Sequence, residues 1–222
     1  MVVPRARQHP PVAQTSRRAR QIETKKTAIL DAALQIFSRY GLHGATVEQI
    51  AEAADVSKTN LFYYFPSKDE VYIAVLERLL TDWLEPLQML EVDSNPVEAI
   101  ENYIRRKMEF SRGSPEASRL FCLEVVQGAP LVGRVLRTSL RTLVDEKAGV
   151  INAWIRAGKL APIDPYHLIF SIWSITQHYA DFSAQVEAIT GRGLDDETFF
   201  EQTVNNIQTL VLGGLTSRLT KT

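Results

Sequence analysis

Cysteine is nearly absent from this chain. Cys122 is the one thiol in 222 residues, which excludes an intrachain disulfide and fits a reducing cytoplasm. Its neighbours Phe121 and Leu123 suggest plain burial. Long apolar runs are also missing: nothing approaches the ~18 consecutive apolar residues of a membrane-spanning helix. No apolar segment follows the early arginines, so a secretion signal is not expected. There is no HExxH, CxxC, GxSxG or phosphate-binding loop, and catalysis is therefore not expected. His178 and Asp181 lie one turn apart and could hold a metal. His167 shares nearly their face but lies ~16 Å from His178 along a helix, too far for one ion. Strand alternation and internal repeats of ~20 to 50 residues are lacking as well.

A strong net charge is missing too. The formal value of −1 looks wrong for a protein that grips nucleic acid until it is divided along the chain. Seven basic residues (Arg5, Arg7, Arg17, Arg18, Arg20, Lys25, Lys26) face Glu23 alone in the first 26 positions, while the remainder holds 18 basic and 25 acidic residues. Residues 1–21 also carry Pro4, Pro10 and Pro11 without apolar periodicity. They read as a disordered basic arm, which could follow phosphates, enter a minor groove or remain a solvated tail.

What is present is concentrated in residues 46–68, TVEQIAEAADVSKTNLFYYFPSK. Thr46, with Gln49 three residues on, forms a capping-box pattern ahead of Val47, Ile50, Ala51 and Ala54 at helical spacing. Asp55 falls where the chain must turn, and Ser57 is a second N-cap opening a short helix over 58–64. Such a pair is a helix-turn-helix, whose second helix meets base edges with its first turn. That turn offers Lys58, Thr59 and Asn60, suited to guanine, a thymine methyl and adenine. Tyr63, Tyr64 and Lys68 follow where hydroxyl and ammonium groups suit phosphates. The aromatics could instead be core. We expect Phe65 and one tyrosine to be buried and the other tyrosine to reach DNA.

Residues 28–68, through AILDAALQIFSRYGLHGAT, IAEAADVS and LFYYFPSK, resemble the DNA-binding domain of the TetR family of bacterial transcriptional repressors. One departure is Asp55, where the family usually has Gly at a turn tending to positive φ. Asp tolerates that region better than most residues.

The rest reads as helices, giving an all-α chain of about nine: three short ones, then about six. Asp69 and Glu70 open a helix that Pro86 should kink or end. Further helices are predicted from Asn95-Pro96, from Ser114-Pro115, over 131–158, from Asp164-Pro165 to about 189, and over 195–213. The division is residues 1–21 as arm, 22–68 as DNA-binding domain and 69–222 as helical ligand-binding and dimerisation domain. EASRLFCLEVVQGAPL, GKLAPIDPYHLIFSIWSITQHYADF and QVEAITG resemble the pyrimidine-utilisation branch of the family. That resemblance implies a cytoplasmic homodimeric repressor on double-stranded operator DNA, released by uracil or thymine, with no cofactor.

A uracil site needs a flat apolar face and groups that both donate and accept. Trp173, Gln177 and Asp181 recur at spacing four on one helix and share a face. Ile172, Ile175, Tyr179, Phe182 and Val186 form the opposite stripe, and the spacing leaves open which side lines a pocket and which a dimer interface. Trp83 is a further candidate. Trp173 could be core and Gln177 an interface amide. Arg119 and Glu124 sit in an apolar segment where structural pairing is the simpler expectation. The alternatives are a TetR-type repressor with a bulkier, lipophilic inducer, and a helical domain that only dimerises.

Overall fold

The computed structural model describes residues 12–216, with side chains from residue 19 onward, and these residues are helical without a strand among them. The chain divides into two compact units, residues 1–75 and 76–222. Of the expected arm, residues 1–11 lie outside the described residues. From Val12 on the chain is already helix, because Pro11 is the last breaker before a run of helix-forming residues.

In the first unit, α1 spans Val12–Gly44 and α2 spans Val47–Ala53. α3 spans Lys58–Tyr64, and α4 begins at Lys68 and runs to Gln88. Gly41 interrupts α1 with φ 67° and ψ 177°, a conformation open to glycine. Ile29, Ala33, Phe37, Ile50, Leu61, Val71 and Val75 are fully buried, and Tyr72 meets Phe37 edge-on at 5.0 Å. The first turns of α4 therefore belong to this core, and the boundary falls at 75/76, inside α4, rather than at 68/69. Thr46 and Gln49 form the expected reciprocal capping box. Asp55 takes φ 50°, so the left-handed turn the family builds with Gly is kept here with an aspartate.

In the second unit, α5 spans Pro96–Gly113 and α6 spans Pro115–Val126. α7 comprises Gly133–Val135, a π segment Leu136–Leu140 and Arg141–Arg156. α8 spans Pro165–Asp181, α9 Ser183–Thr190 and α10 Glu197–Thr216. With these boundaries the described residues form ten helices. α5 packs against α8, α10 and α6, and α6 packs against α8. Tyr103, Ile104, Met108, Trp154, Ile172, Phe200 and Val204 are among the buried core.

The helix expected to reach residue 189 is broken at Phe182 (φ −116°, ψ 31°), which separates α8 from α9. Arg119 holds the break by donating to the Ala180 carbonyl at 3.1 Å, one of the acceptors a helix end leaves free. Glu124 is likewise structural. Its Oε1 accepts the Leu131 and Val132 amides at 2.8 and 3.2 Å ahead of α7. Plain burial of Cys122 is corrected: the thiol is half-buried and Leu123 is exposed, because α6 turns Ala117, Leu120 and Glu124 inward. No helix among the described residues is long and apolar enough to cross a membrane.

Candidate nucleic-acid interface and effector site

α3 has one buried anchor, Leu61, and an otherwise accessible surface. Ser57 caps it by accepting the Asn60 amide at 3.1 Å. The cap leaves Lys58 and Thr59 exposed and Asn60 half-buried in the first turn. Lys58 Nζ lies 2.5 Å from Glu48 Oε1 on α2, with both side chains more than half exposed. That hydrogen bond holds the Glu48 carboxyl below its ordinary range. An exposed pair of this kind contributes little to stability, so Lys58 is free to exchange Glu48 for another acceptor. The Lys58 ammonium also lies 5.9 Å from the Phe62 ring centroid.

Phe65 is buried at 8 % exposure and Tyr63 stands out at 69 %, with Tyr64 between them. The two tyrosine rings meet edge-on at 5.1 Å. They share a hollow with Gln21, Ile22, Thr24 and Lys25 of α1, which brings part of the basic segment beside the phenols. Lys68 is half-buried, and its Nζ donates to the Ala45 carbonyl at 2.9 Å. That bond ties the start of α4 to the α1–α2 turn. A lysine ammonium carries three donors, so the tether leaves others available. Thr46 is exposed, its hydroxyl engaged with Gln49.

In the second unit the proposed ligand residues fall into two groups. Trp173 is half-buried and donates its indole N–H to the Tyr103 hydroxyl at 2.5 Å. Burial pushes the Tyr103 phenol far above its usual range, with the indole hydrogen bond opposing. Trp83 is buried and meets Phe121 edge-on at 5.3 Å. Asp181 accepts the Ser118 hydroxyl at 2.5 Å. Beside Trp83 lies a residue the sequence reading missed, Lys107 of α5. It is 5 % exposed, its Nζ is 5.4 Å from the Trp83 centroid, and Asp181 is its opposing charge. Burial drives the Lys107 pKa down to about 8, with Asp181 working against that. Burial, and after it Asp181, also push the Cys122 thiol up.

The signal for Lys107 was present. Ile100, Tyr103, Ile104, Lys107, Met108 and Ser111 make the buried stripe of α5, and a lysine at helical spacing within such a stripe is out of place. The stripe answers that of α8. Tyr103 receives Trp173, Ser111 donates to the Thr176 carbonyl at 2.9 Å, and Asp181 is the charge that opposes the effect of burial on Lys107. Gln177 stands one turn from both Trp173 and Asp181 on α8, half-buried. The face of α8 carrying Trp173 and Asp181 is thus turned toward α5 and α6. Phe170, Ser174, His178 and Phe182 form its exposed line, and His178 stacks on Phe182 at 5.0 Å.

The family model described as "Bacterial regulatory proteins, tetR family" matches residues 29–75, and that of the "YcdC-like protein, C-terminal region" matches 76–218. The HTH-type transcriptional regulator RutR of Escherichia coli K12 is 56 % identical over 207 residues, covering 93 % of this chain and 98 % of its own. Among solved structures, the fatty acid degradation regulator FadR from Bacillus halodurans superposes with a TM-score of 0.66 at 21 % identity, covering 86 % of this chain and 95 % of that one. AibR, solved in complex with isovaleryl coenzyme A and operator DNA, gives 0.64 at 18 % identity, covering 84 % and 97 %.

Proposed function

The chain belongs to the TetR family of bacterial transcriptional regulators, and on that premise we propose that it is a cytoplasmic, homodimeric repressor whose operator DNA is released when uracil or thymine occupies the second unit. The observation that carries the reading is the first turn of α3, capped at Ser57, with Lys58 and Thr59 exposed and Asn60 half-buried beside a single buried anchor. A helix so held can enter a major groove without unfolding its own start. Exposed Tyr63, Tyr64 beside it and Lys68 supply hydroxyl and ammonium donors for phosphates at its far end.

The effector reading is supported by similarity to RutR and by the chemistry around Trp83, Lys107, Trp173, Gln177 and Asp181. Flat aromatic faces stand beside donors and acceptors in an otherwise apolar core, the composition a small, neutral, planar imide requires. A bulky lipophilic inducer would offer no acceptor to the buried Lys107 ammonium, a costly arrangement. For the dimer, exposed Phe170 and Phe182 on α8 and exposed Leu210 on α10 supply apolar surface.

The test is a comparison of selected operator against scrambled duplex after Lys58→Ala and Asn60→Ala. Loss of discrimination is expected. Undiminished discrimination would remove α3 as the reading element.

A further inference from the structure

Glu48 is absent from the reading surface described above, yet it touches it. It lies in the first turn of α2, two residues beyond the Thr46 cap. Its Oε1 accepts a hydrogen bond from Lys58 Nζ at 2.5 Å, which joins the first turns of α2 and α3. The carboxylate side chain is 63 % exposed and that of the lysine 53 %. An exposed pair of this kind does little for stability. An acid in the first turn also suits the dipole of α2, but that gain does not require it to engage Lys58. On a surface that meets phosphates a carboxylate is repelled, so its place against the reading lysine calls for a different reason. The Lys58 hydrogen bond, and after it the Glu48 backbone amide, hold the carboxyl below its ordinary range, so Glu48 meets DNA as an anion. An ammonium has three donors and a carboxylate about four acceptor sites. Each partner therefore keeps capacity for a base after bonding to the other.

We propose that Glu48 and Lys58 act as one unit that reads a G·C pair in the major groove, Lys58 donating to guanine O6 and N7 and Glu48 accepting from the cytosine N4 amino group. The assignment rests on the helix-turn-helix reading above and deepens it, adding a specificity-determining residue on α2 and the base pair it selects. In the major groove guanine shows two acceptors, and its cytosine partner shows one donor. O6 and N4 are hydrogen-bonded to each other, hence ~2.9 Å apart. The protein pair holds its donor and acceptor 2.5 Å apart, so the two edges agree in spacing and are opposite in character. An A·T pair also sets a donor beside an acceptor. Thymine O4, however, offers Lys58 one acceptor where guanine offers two, and the thymine methyl group adjoins it. With the G·C pair reversed, the carboxylate faces O6 and the ammonium faces N4, and both contacts become repulsive. Glu48 thus selects by penalising the wrong pair as well as by bonding the right one.

The experiment is selection of duplexes from a random pool by the full chain, carried out with the wild type, Glu48→Ala and Lys58→Ala. Anisotropy titrations with single-base-pair variants of the selected operator, and with scrambled duplex, follow for each protein. The wild type is expected to require one G·C pair in each half-site that neither variant requires, while the other selected positions are kept. Replacing that pair should cost the wild type roughly 5- to 150-fold in affinity and Glu48→Ala less than roughly threefold. A Glu48→Ala protein that selects the same base pair as the wild type at every position would overturn the role of Glu48 and leave the reading helix standing. Preference relaxed at all positions alike would mark Glu48 as a structural residue and overturn the proposal too. Loss of an A·T preference instead of a G·C one would overturn the base-pair assignment. Wild-type protein that binds scrambled duplex as tightly as the selected one would remove the helix-turn-helix reading itself, a failure distinct from the others.

Discussion

Two single positions in this chain hold a charge or a backbone conformation that costs stability. Lys107 keeps a charge in the core, and its pKa falls from 10.5 to about 8 through burial. Between those values the unfolded chain binds the proton more tightly than the folded one, so stability rises with pH across that window and the penalty is fully present below it. Lys107→Met is expected to stabilise the protein at pH 7 by roughly 1 to 3 kcal/mol, the desolvation gain less the lost attraction to Asp181. The gain should fade above pH ~10. Urea unfolding at the two pH values checks this, and a destabilised variant at pH 7 would show that Lys107 is structural. Asp55 is the second position. Held at φ 50°, it occupies a region that Gly enters freely and β-branched residues do not. Asp55→Gly is expected to be neutral or stabilising by up to ~1 kcal/mol and Asp55→Val to destabilise by more than ~1 kcal/mol in thermal unfolding.

At the scale of elements, the caps decide whether the reading helix exists. α2 and α3 are each seven residues long, too short to persist on helical propensity alone. Thr46→Ala and Ser57→Ala should each cost ~1 kcal/mol of stability. Ser57→Ala should also weaken operator binding, because α3 must then be ordered on contact. A Ser57→Ala variant with unchanged stability and affinity would contradict that role of the cap. These elements were legible because capping chemistry is local: Thr46, Gln49 and Ser57 act on amides two or three residues away. The break at Phe182 was not legible, since no Gly or Pro marks it. It depends on Arg119, distant in sequence, which takes up the Ala180 carbonyl. The role of Lys107 was not legible for a related reason. Its spacing within the α5 stripe is that of a buried position, but Trp83 and Asp181 come from α4 and α8, and only the packing of helices distant in sequence brings their influence to bear on it. Trp83 and Asp181 were read separately for their chemistry, and the fold supplied the cation beside Trp83.

For the whole molecule, charge and assembly make the account testable in solution. A basic N-terminal segment, of which Lys25 lies beside Tyr63 and Tyr64, and a net acidic remainder predict oriented, salt-sensitive docking. For about six phosphate contacts, operator affinity should fall roughly 1,000-fold between ~50 and ~200 mM salt, and a flat response would contradict the phosphate assignments. Leu210, 65 % exposed on α10, is expected to lie in the dimer face. Leu210→Glu should shift the protein to monomer in light scattering and lower operator affinity. The ligand needs only a higher affinity for the conformer that grips DNA poorly. The most direct test is anisotropy of a labelled operator, selected from random duplexes, titrated with uracil at fixed protein and salt. The account predicts that uracil and thymine dissociate the complex while uridine and a lipophilic cation do not. An operator complex that persists at saturating uracil, or that only the cation dissolves, would contradict it.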